Sequence, residues 1–182
     1  MKTFIEMVQQ RQSVRKYDDR PVEKEKIDKC IEAARLAPSA CNSQPWKFIV
    51  AYEKNLAEEV AKATFNPVIN FNRFAKSATV MIAITIERPK TIAKIGESIK
   101  DREFPLIDIG IAAQHFCLQA EELGLGTCMI GWFNEKRVKE LLEIPDKKRV
   151  GLLISVGYPV ENYKFRIKIR KSTGKMSSYN KY

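Results

Sequence analysis

Leu36–Ala51, reading LAPSACNSQPWKFIVA, marks the place where the chain changes from one regular structure to another. An amphipathic run ends at Pro38, because the proline ring removes an N–H and crowds the preceding turn. The small and polar residues Ser39-Ala40-Cys41-Asn42-Ser43-Gln44 follow, and Pro45-Trp46 opens a strand-like segment, Lys47-Phe48-Ile49-Val50. Small residues between a helix end and a strand let the backbone approach a flat ligand and leave N–H groups free to bond it. Asn42, Ser43 and Gln44 add short arms with both donors and acceptors. An ordinary helix-to-strand connection has the same composition, so the stretch alone leaves both readings open.

Upstream, Thr3 with Glu6 makes a capping box and predicts a first helix over residues 3–10. Arg11-Gln12-Ser13-Val14-Arg15 then places two guanidiniums two residues apart with a hydroxyl between them, a ready clamp for phosphate oxygens. Tyr17–Pro21 reads as a turn. Ile27, Cys30, Ile31 and Ala34 fall on one helical face and predict a second helix, from Pro21–Glu23 to just before Pro38.

Downstream, Lys47–Tyr52 reads as a short buried strand, Leu56–Ala63 as a helix, and Asn66–Arg73, with three Asn and one Pro, as irregular. Ala78–Ile86 is apolar on both faces and so predicts a central strand. Glu87–Glu103 is charged and reads as a helical insertion. Leu106–Leu123 carries one stripe, Leu106, Ile109, Ala113, Phe116, Ala120 and Leu123, and a second, Ile107, Ile111 and Leu118. Cover that wide means burial on more than one side, inside the protomer or at a dimer interface. Gly124 stops the helix, Thr127–Phe133 is a strand, Asn134 caps a helix, and Val150–Val156 is a buried strand. A basic extended segment, Tyr163–Lys171, precedes a polar tail, 172–182, and the rest, 1–171, reads as one domain.

Composition narrows the function. The chain has 182 residues, 45% hydrophobic and 30% charged, the balance of a globular protein. No apolar run reaches the roughly 18–20 residues that span a bilayer, and the N-terminus has no apolar signal core, so a cytoplasmic protein without membrane contact is expected. Four cysteines lack C-x-x-C spacing and a single histidine stands in an apolar run, which argues against a metal site. The net charge of +10 is spread among interleaved acids, as on solvated helix faces. No nucleic-acid motif accompanies it, and a positive field also draws in anionic cofactors.

Taken together, Arg11-x-Ser13-x-Arg15 and Pro38-Ser39-(x)2-Asn42-Ser43-Gln44-Pro45-Trp46 resemble the FMN-dependent nitroreductase family, as do Met129-Ile130-Gly131-Trp132-Phe133 and Val156-Gly157-Tyr158-Pro159. The likeness runs from about Phe4 to about Lys171. It implies an α+β sandwich of helices around a mainly antiparallel sheet, forming a homodimer with FMN at the subunit interface. On this resemblance Arg11, Gln12, Ser13 and Arg15 bind the FMN phosphate and ribityl or pyrimidine oxygens. Pro38, Ser39, Ala40 and Asn42 of the other subunit wall the ring, and Asn70 bonds its pyrimidine. Ile130, Gly131 and Trp132 pass beneath it with an N–H toward N5. Arg170, with Lys168 or Lys171, completes the phosphate site. No side chain is assigned as catalytic and no metal is expected. The implied activity is ping-pong reduction of nitroaromatic, quinone or similar small acceptors by NAD(P)H. The alternatives are a same-fold flavoenzyme with other chemistry, such as reductive dehalogenation or flavin modification, and a basic binding module without redox activity.

Overall fold

A computed structural model describes residues 3–87 and 103–182. The architecture is α+β: one four-stranded, wholly antiparallel sheet with helices on both faces. In chain order the elements are α1 (Phe4–Gln10), α2 (Lys24–Arg35), β1 (Trp46–Ala51), α3 (Lys54–Lys62), β2 (Val80–Ile86), α4 (Phe104–Glu122), β3 (Gly126–Ile130), α5 (Glu135–Leu141), β4 (Arg149–Gly157) and a single turn, α6 (Thr173–Met176). The strand order is β1-β2-β4-β3, so β2 and β4 are central and β1 and β3 form the edges.

Period-two alternation divides the core. Val80, Ile82 and Ile84 of β2, with Ile154 and Val156 of β4, pack against α2 and α4 through Ile27, Cys30, Ile109 and Phe116. Met81 and Ala83, with Leu153, turn to the other face and meet Ala57, Val60, Ala61 and Val138 of α3 and α5. The double-sided apolar reading of β2 is borne out: five of its first residues, Val80–Ile84, are 0–1% exposed.

Capping follows the sequence closely. Thr3 and Glu6 form the reciprocal box, and Asn134 accepts the Arg137 N–H at 3.1 Å. Past α4, Gly124 takes φ +76°. Its N–H donates to Glu121 while the Leu125 N–H donates to Ala120, a paired closure that requires the left-handed residue.

Two strand expectations are corrected. Strand β1 is a half-buried edge rather than a buried strand, because among the described residues none pairs beyond it. Strand β3 ends at Ile130 instead of Phe133, since its ladder with β4 runs out at the Ile130–Leu153 pair. On α4 the first stripe is largely covered, but Ile107 is 54% exposed and Ile111 and Leu118 are half-buried. The proposed insertion at 87–103 lies, apart from its two ends, outside the described residues.

Two features fix where the ligand-facing loops sit. The Arg11–Tyr17 segment lies on the outer edge of β3: Ser13 bridges Thr127 and Tyr17 bridges Pro159. It can do so because Gly126 and Gly157, register partners across β3 and β4, present no side chains. A Cβ on Gly126 would stand 2.7 Å from Val14 Cγ2, and one on Gly157 would stand 2.9 Å from Tyr17 Cδ1. The second feature is Asp108, 4% exposed near the start of α4. Both its oxygens accept the Ala40 N–H at 3.2 Å, which ties the Ser39–Gln44 loop to that helix end.

Two predictions follow from these contacts. Gly126→Ala and Gly157→Ala should each cost ~1–3 kcal/mol in urea denaturation, since neither buried neighbour can rotate clear. Burial raises the Asp108 carboxyl above its ordinary 3.8, against the opposing Ala40 N–H bond. Between those values the folded chain keeps a proton that the unfolded chain has lost. The stabilising contribution is therefore full below the unfolded value and is lost as pH rises through the folded one. Asp108→Asn should flatten that part of the stability–pH curve, measured as denaturation midpoints across the acid range; an unchanged curve refutes the assignment.

Candidate functional site

Between the Arg11–Arg15 segment and the C-terminal arm lies a cavity of about 300 Å³, lined by Arg11, Gln12, Ser13, Arg15, Arg166, Lys168 and Arg170 together with Ile167 and Ile169. Five of its lining residues are cationic and none is acidic. The N-terminal side is rigid. Val14 is 2% exposed and donates its N–H to Thr127. Tyr17 is 5% exposed; its hydroxyl donates to the Val14 carbonyl at 2.9 Å and lies 2.9 Å from the Ser155 hydroxyl. Burial keeps that phenol well above its usual value, so it stays neutral. Val14, turned inward and buried, leaves its neighbours Ser13 and Arg15 to line the cavity.

The opposite wall is the arm. The Tyr163 hydroxyl accepts the Arg15 N–H at 2.9 Å. The Arg166 N–H reaches Gln12 Oε1 at 3.3 Å, and its guanidinium donates to the Ser13 carbonyl. Lys168 Nζ donates to the Val8 carbonyl at 2.6 Å. Burial, followed by the positive charges of Arg11 and Arg170, pushes the Lys168 ammonium below its usual value.

A buried thiol, Cys128, lies near Ser13 and the arginines. Burial pushes Cys128 up, against the pull of the Arg15 charge and a bond from the Ser13 hydroxyl. Burial likewise takes Cys117 to about 11 and Cys30 to about 12. These three are protonated, buried packing groups at neutral pH, whereas Cys41 is exposed.

From this cavity a chain of contacts leads to the other expected residues. The Arg15 guanidinium lies 5.8 Å from the centre of the Phe74 ring. In the same loop, Asn72 donates to the carbonyls of Thr64 and Trp132, both at 3.2 Å, and the Phe71 and Trp132 rings stand 6.0 Å apart. Asn70 lines a 350 Å³ cavity with Phe65, Arg73 and Lys76. Ile130 is buried at the end of β3, while Gly131 and Trp132 beyond it are exposed. Nothing lies within 4 Å of the position a Gly131 Cβ would take, so the backbone there is open to a flat group.

Pro38, Ser39, Ala40 and Asn42 stand elsewhere. Their loop is held by Asp108 and leads into β1, whose Trp46 pairs with Ile86, itself opposite Arg149 at the start of β4. The arginine segment is beside β3 at the far end of β4, near Gly157. Helix α4 runs between these corners, so Asp108 and Glu122 at its two ends are about 21 Å apart at 1.5 Å per residue. One protomer does not bring the loop to the cavity. The loop is nevertheless built to a fixed shape: Cys41, Asn42 and Gln44 all take φ near +50°. Ser39 accepts the Gln44 N–H at 2.9 Å, and Ser43 donates to the Ala40 carbonyl at 2.6 Å. Left-handed backbone at three non-glycine residues persists only where such bonds over-determine it.

Sequence reasoning missed Tyr163 and Arg166, named Lys168 only as an alternative to Lys171, and overlooked Arg73. Arg166, Lys168 and Arg170 recur at period two in an extended arm, which was the available signal. That spacing puts the three on one side and Lys171 on the other, and Lys171 does not line the cavity.

A profile described as "Nitroreductase family" matches residues 8–158. A relative from Archaeoglobus fulgidus is 32% identical over 169 residues, 91% of this chain and 90% of its own. The oxygen-insensitive NADPH nitroreductase of Helicobacter pylori 26695 is 28% identical, over 72% of this chain and 75% of its own. Among solved structures, an FMN-dependent nitroreductase of Clostridium difficile R20291 superposes with a TM-score of 0.79 at 31% identity, covering 98% of this chain and all of the other. With a match across the whole sheet and the arginine segment, the chain belongs to the nitroreductase family.

Proposed function

We propose that the protein is an NAD(P)H-dependent oxidoreductase that holds FMN and reduces nitroaromatic, quinone or similar small acceptors. The observation that carries this reading is the acid-free cationic cavity at the edge of β3. Five cations around a space of 300 Å³ suit a phosphate monoester, which bears about −1.5 to −2 charge at neutral pH. Support also comes from the Helicobacter pylori relative, an NADPH nitroreductase, and from the Clostridium difficile structure, an FMN-dependent one.

In this reading Arg11, Gln12, Ser13, Arg15 and Arg170, joined by Arg166 and Lys168, hold the phosphate. Arg15, displaced toward the Phe74 loop, places positive charge toward the pyrimidine edge, where negative charge develops on reduction. Asn70 bonds the same edge, and Arg73 beside it adds a second cation. The open backbone at Gly131, between Ile130 and Trp132, offers an N–H to the ring. FMN, when bound, supplies the redox chemistry by accepting hydride from the nicotinamide and passing it to the acceptor. The protein's residues orient the two partners in turn over one shallow face, which gives ping-pong kinetics. No side chain acts as acid, base or nucleophile.

The wall formed by Pro38, Ser39, Ala40 and Asn42 must then come from a second copy, since those residues stand at the opposite corner of their own sheet. A homodimer would also cover Ile107 on α4, Phe4 and Ile5 on α1, and Ile167 and Ile169 on the arm, all 54–92% exposed in the single chain. Residues 1–171 make up the catalytic domain in this reading, with 172–182 as a tail. Four free thiols suit the reducing cytoplasm.

As purified, the protein should be yellow, bleach anaerobically with NADH or NADPH, and regain colour with a quinone or nitroaromatic. Replacing Arg11 or Arg15 by Gln removes charge-assisted bonds worth ~1.5–3 kcal/mol, so FMN should bind about 10- to 100-fold more weakly. Colourless protein that takes up no added FMN refutes the reading.

A further inference from the structure

We infer that the arm from Tyr163 to Arg170 is an anion-dependent strap, seated on the Arg11–Arg15 segment only while a phosphate-class anion occupies the cavity between them. The inference rests on reading that cavity as a phosphate site.

Tyr163, at the root of the arm, packs against the cluster of Val14 and Tyr17, but beyond it little apolar contact holds the arm to its own protomer. Phe165, Ile167 and Ile169 are 57%, 92% and 90% exposed. The arm has no regular secondary structure before the turn at Thr173. What fastens it is a row of polar staples: Tyr163 to the Arg15 N–H, Arg166 to Gln12 and Ser13, and Lys168 to Val8. Each of these bonds is exposed to competing water, and exposed bonds give little net stability.

Against them stands like-charge repulsion. Seating the arm brings Arg166, Lys168 and Arg170 onto Arg11 and Arg15 with no acid among the lining residues. The depressed Lys168 ammonium, pushed down by burial and then by Arg11 and Arg170 against the weaker pull of Glu121, is consistent with that repulsion. An anion in the middle is attracted by all five and reverses the balance. Because it meets the full cluster only in the seated state, mass action must favour seating in proportion to its occupancy. The cofactor phosphate would therefore close its own site.

Amide hydrogen exchange reads this directly on the full-length chain freed of flavin and phosphate. The Arg15 and Arg166 N–H groups are the reporters, since their bonds cross the interface between strap and segment. The Val14 N–H, bonded to Thr127, is the internal control. Inorganic phosphate, pyrophosphate, FMN and riboflavin are titrated separately at one protein concentration, with flavin binding followed by fluorescence.

At about ten times its dissociation constant, a phosphate-bearing ligand should slow exchange at Arg15 and Arg166 about tenfold, with riboflavin ineffective and Val14 unmoved. Protection by phosphate or pyrophosphate, even with FMN unbound, upholds the strap while overturning the flavin reading. FMN that binds without protecting the two reporters overturns the strap and leaves the flavin reading standing. Riboflavin that protects as well as FMN also overturns the strap, and so does protection by none of the four.

Discussion

The site depends on a close approach of backbone to backbone. Val14 and Tyr17 rest on Gly126 and Gly157, two residues paired across β3 and β4. With side chains there the segment would be lifted off the sheet. Without them the segment is locked, because Tyr17 is buried and its hydroxyl is bonded to Val14 and Ser155. The burial of Val14 then decides the chemistry: with 14 committed to the core, its neighbours 13 and 15 line the cavity instead. An anion clamp follows from where one apolar residue is buried.

The same sheet that builds the clamp separates it from its complement. The Ser39–Gln44 loop is fastened by Asp108 at one end of α4, and the clamp lies past the other end, at the opposite edge and the opposite end of the sheet. A rigid helix and a four-stranded ladder do not fold in half. The strained and well-bonded loop therefore has no ligand-facing task inside its own protomer, unless a two-fold axis brings it to another chain's clamp. The uncovered apolar residues on α1, α4 and the arm point the same way. The two arms of the pattern, Arg11-x-Ser13-x-Arg15 and the Ser39–Gln44 loop, thus belong to one site only if there are two chains.

Much of this was legible in the residues, for identifiable reasons. Caps and stops read well: Thr3 with Glu6, Asn134 and Gly124 act through bonds to neighbours three or four positions away, which sequence displays. The central strand β2 read well because burial on both faces leaves a continuous apolar run. Strand β1 read as buried because its composition is that of β2; which strand ends a sheet is settled by pairing far along the chain. The end of β3 was misplaced because Trp132 and Phe133 have strand propensity, but the chain leaves the ladder at Ile130–Leu153 although β4 runs on to Arg149 beside β2. Asp108 was passed over as one acid in an apolar helix, since its partner is the Ala40 N–H, 68 residues away. Arg166 was missed because its role depends on the arm folding back over 150 residues to Gln12 and Ser13.

Charge shows most plainly what position adds to composition. A formal excess of +10 in a chain whose acids and bases interleave reads as solvated surface, and much of it is. Lys62, Arg137 and Lys76 are drawn to Glu58 and Glu59, and Lys139 pairs with Glu135. Half of the excess is nevertheless gathered in one cavity, where five cations meet without an acid. Exposed pairs of opposite sign contribute little, and salt screens them. A cluster of one sign is different, because its cost persists until a counter-charge arrives. It is opposed here by exposed bonds to backbone carbonyls at Val8 and Ser13, while the buried phenol of Tyr17 fixes only the N-terminal side. Packing fixes two of these cations on the sheet and the arm supplies three more, so on the reading proposed above a compact oxyanion between them is what offsets the repulsion.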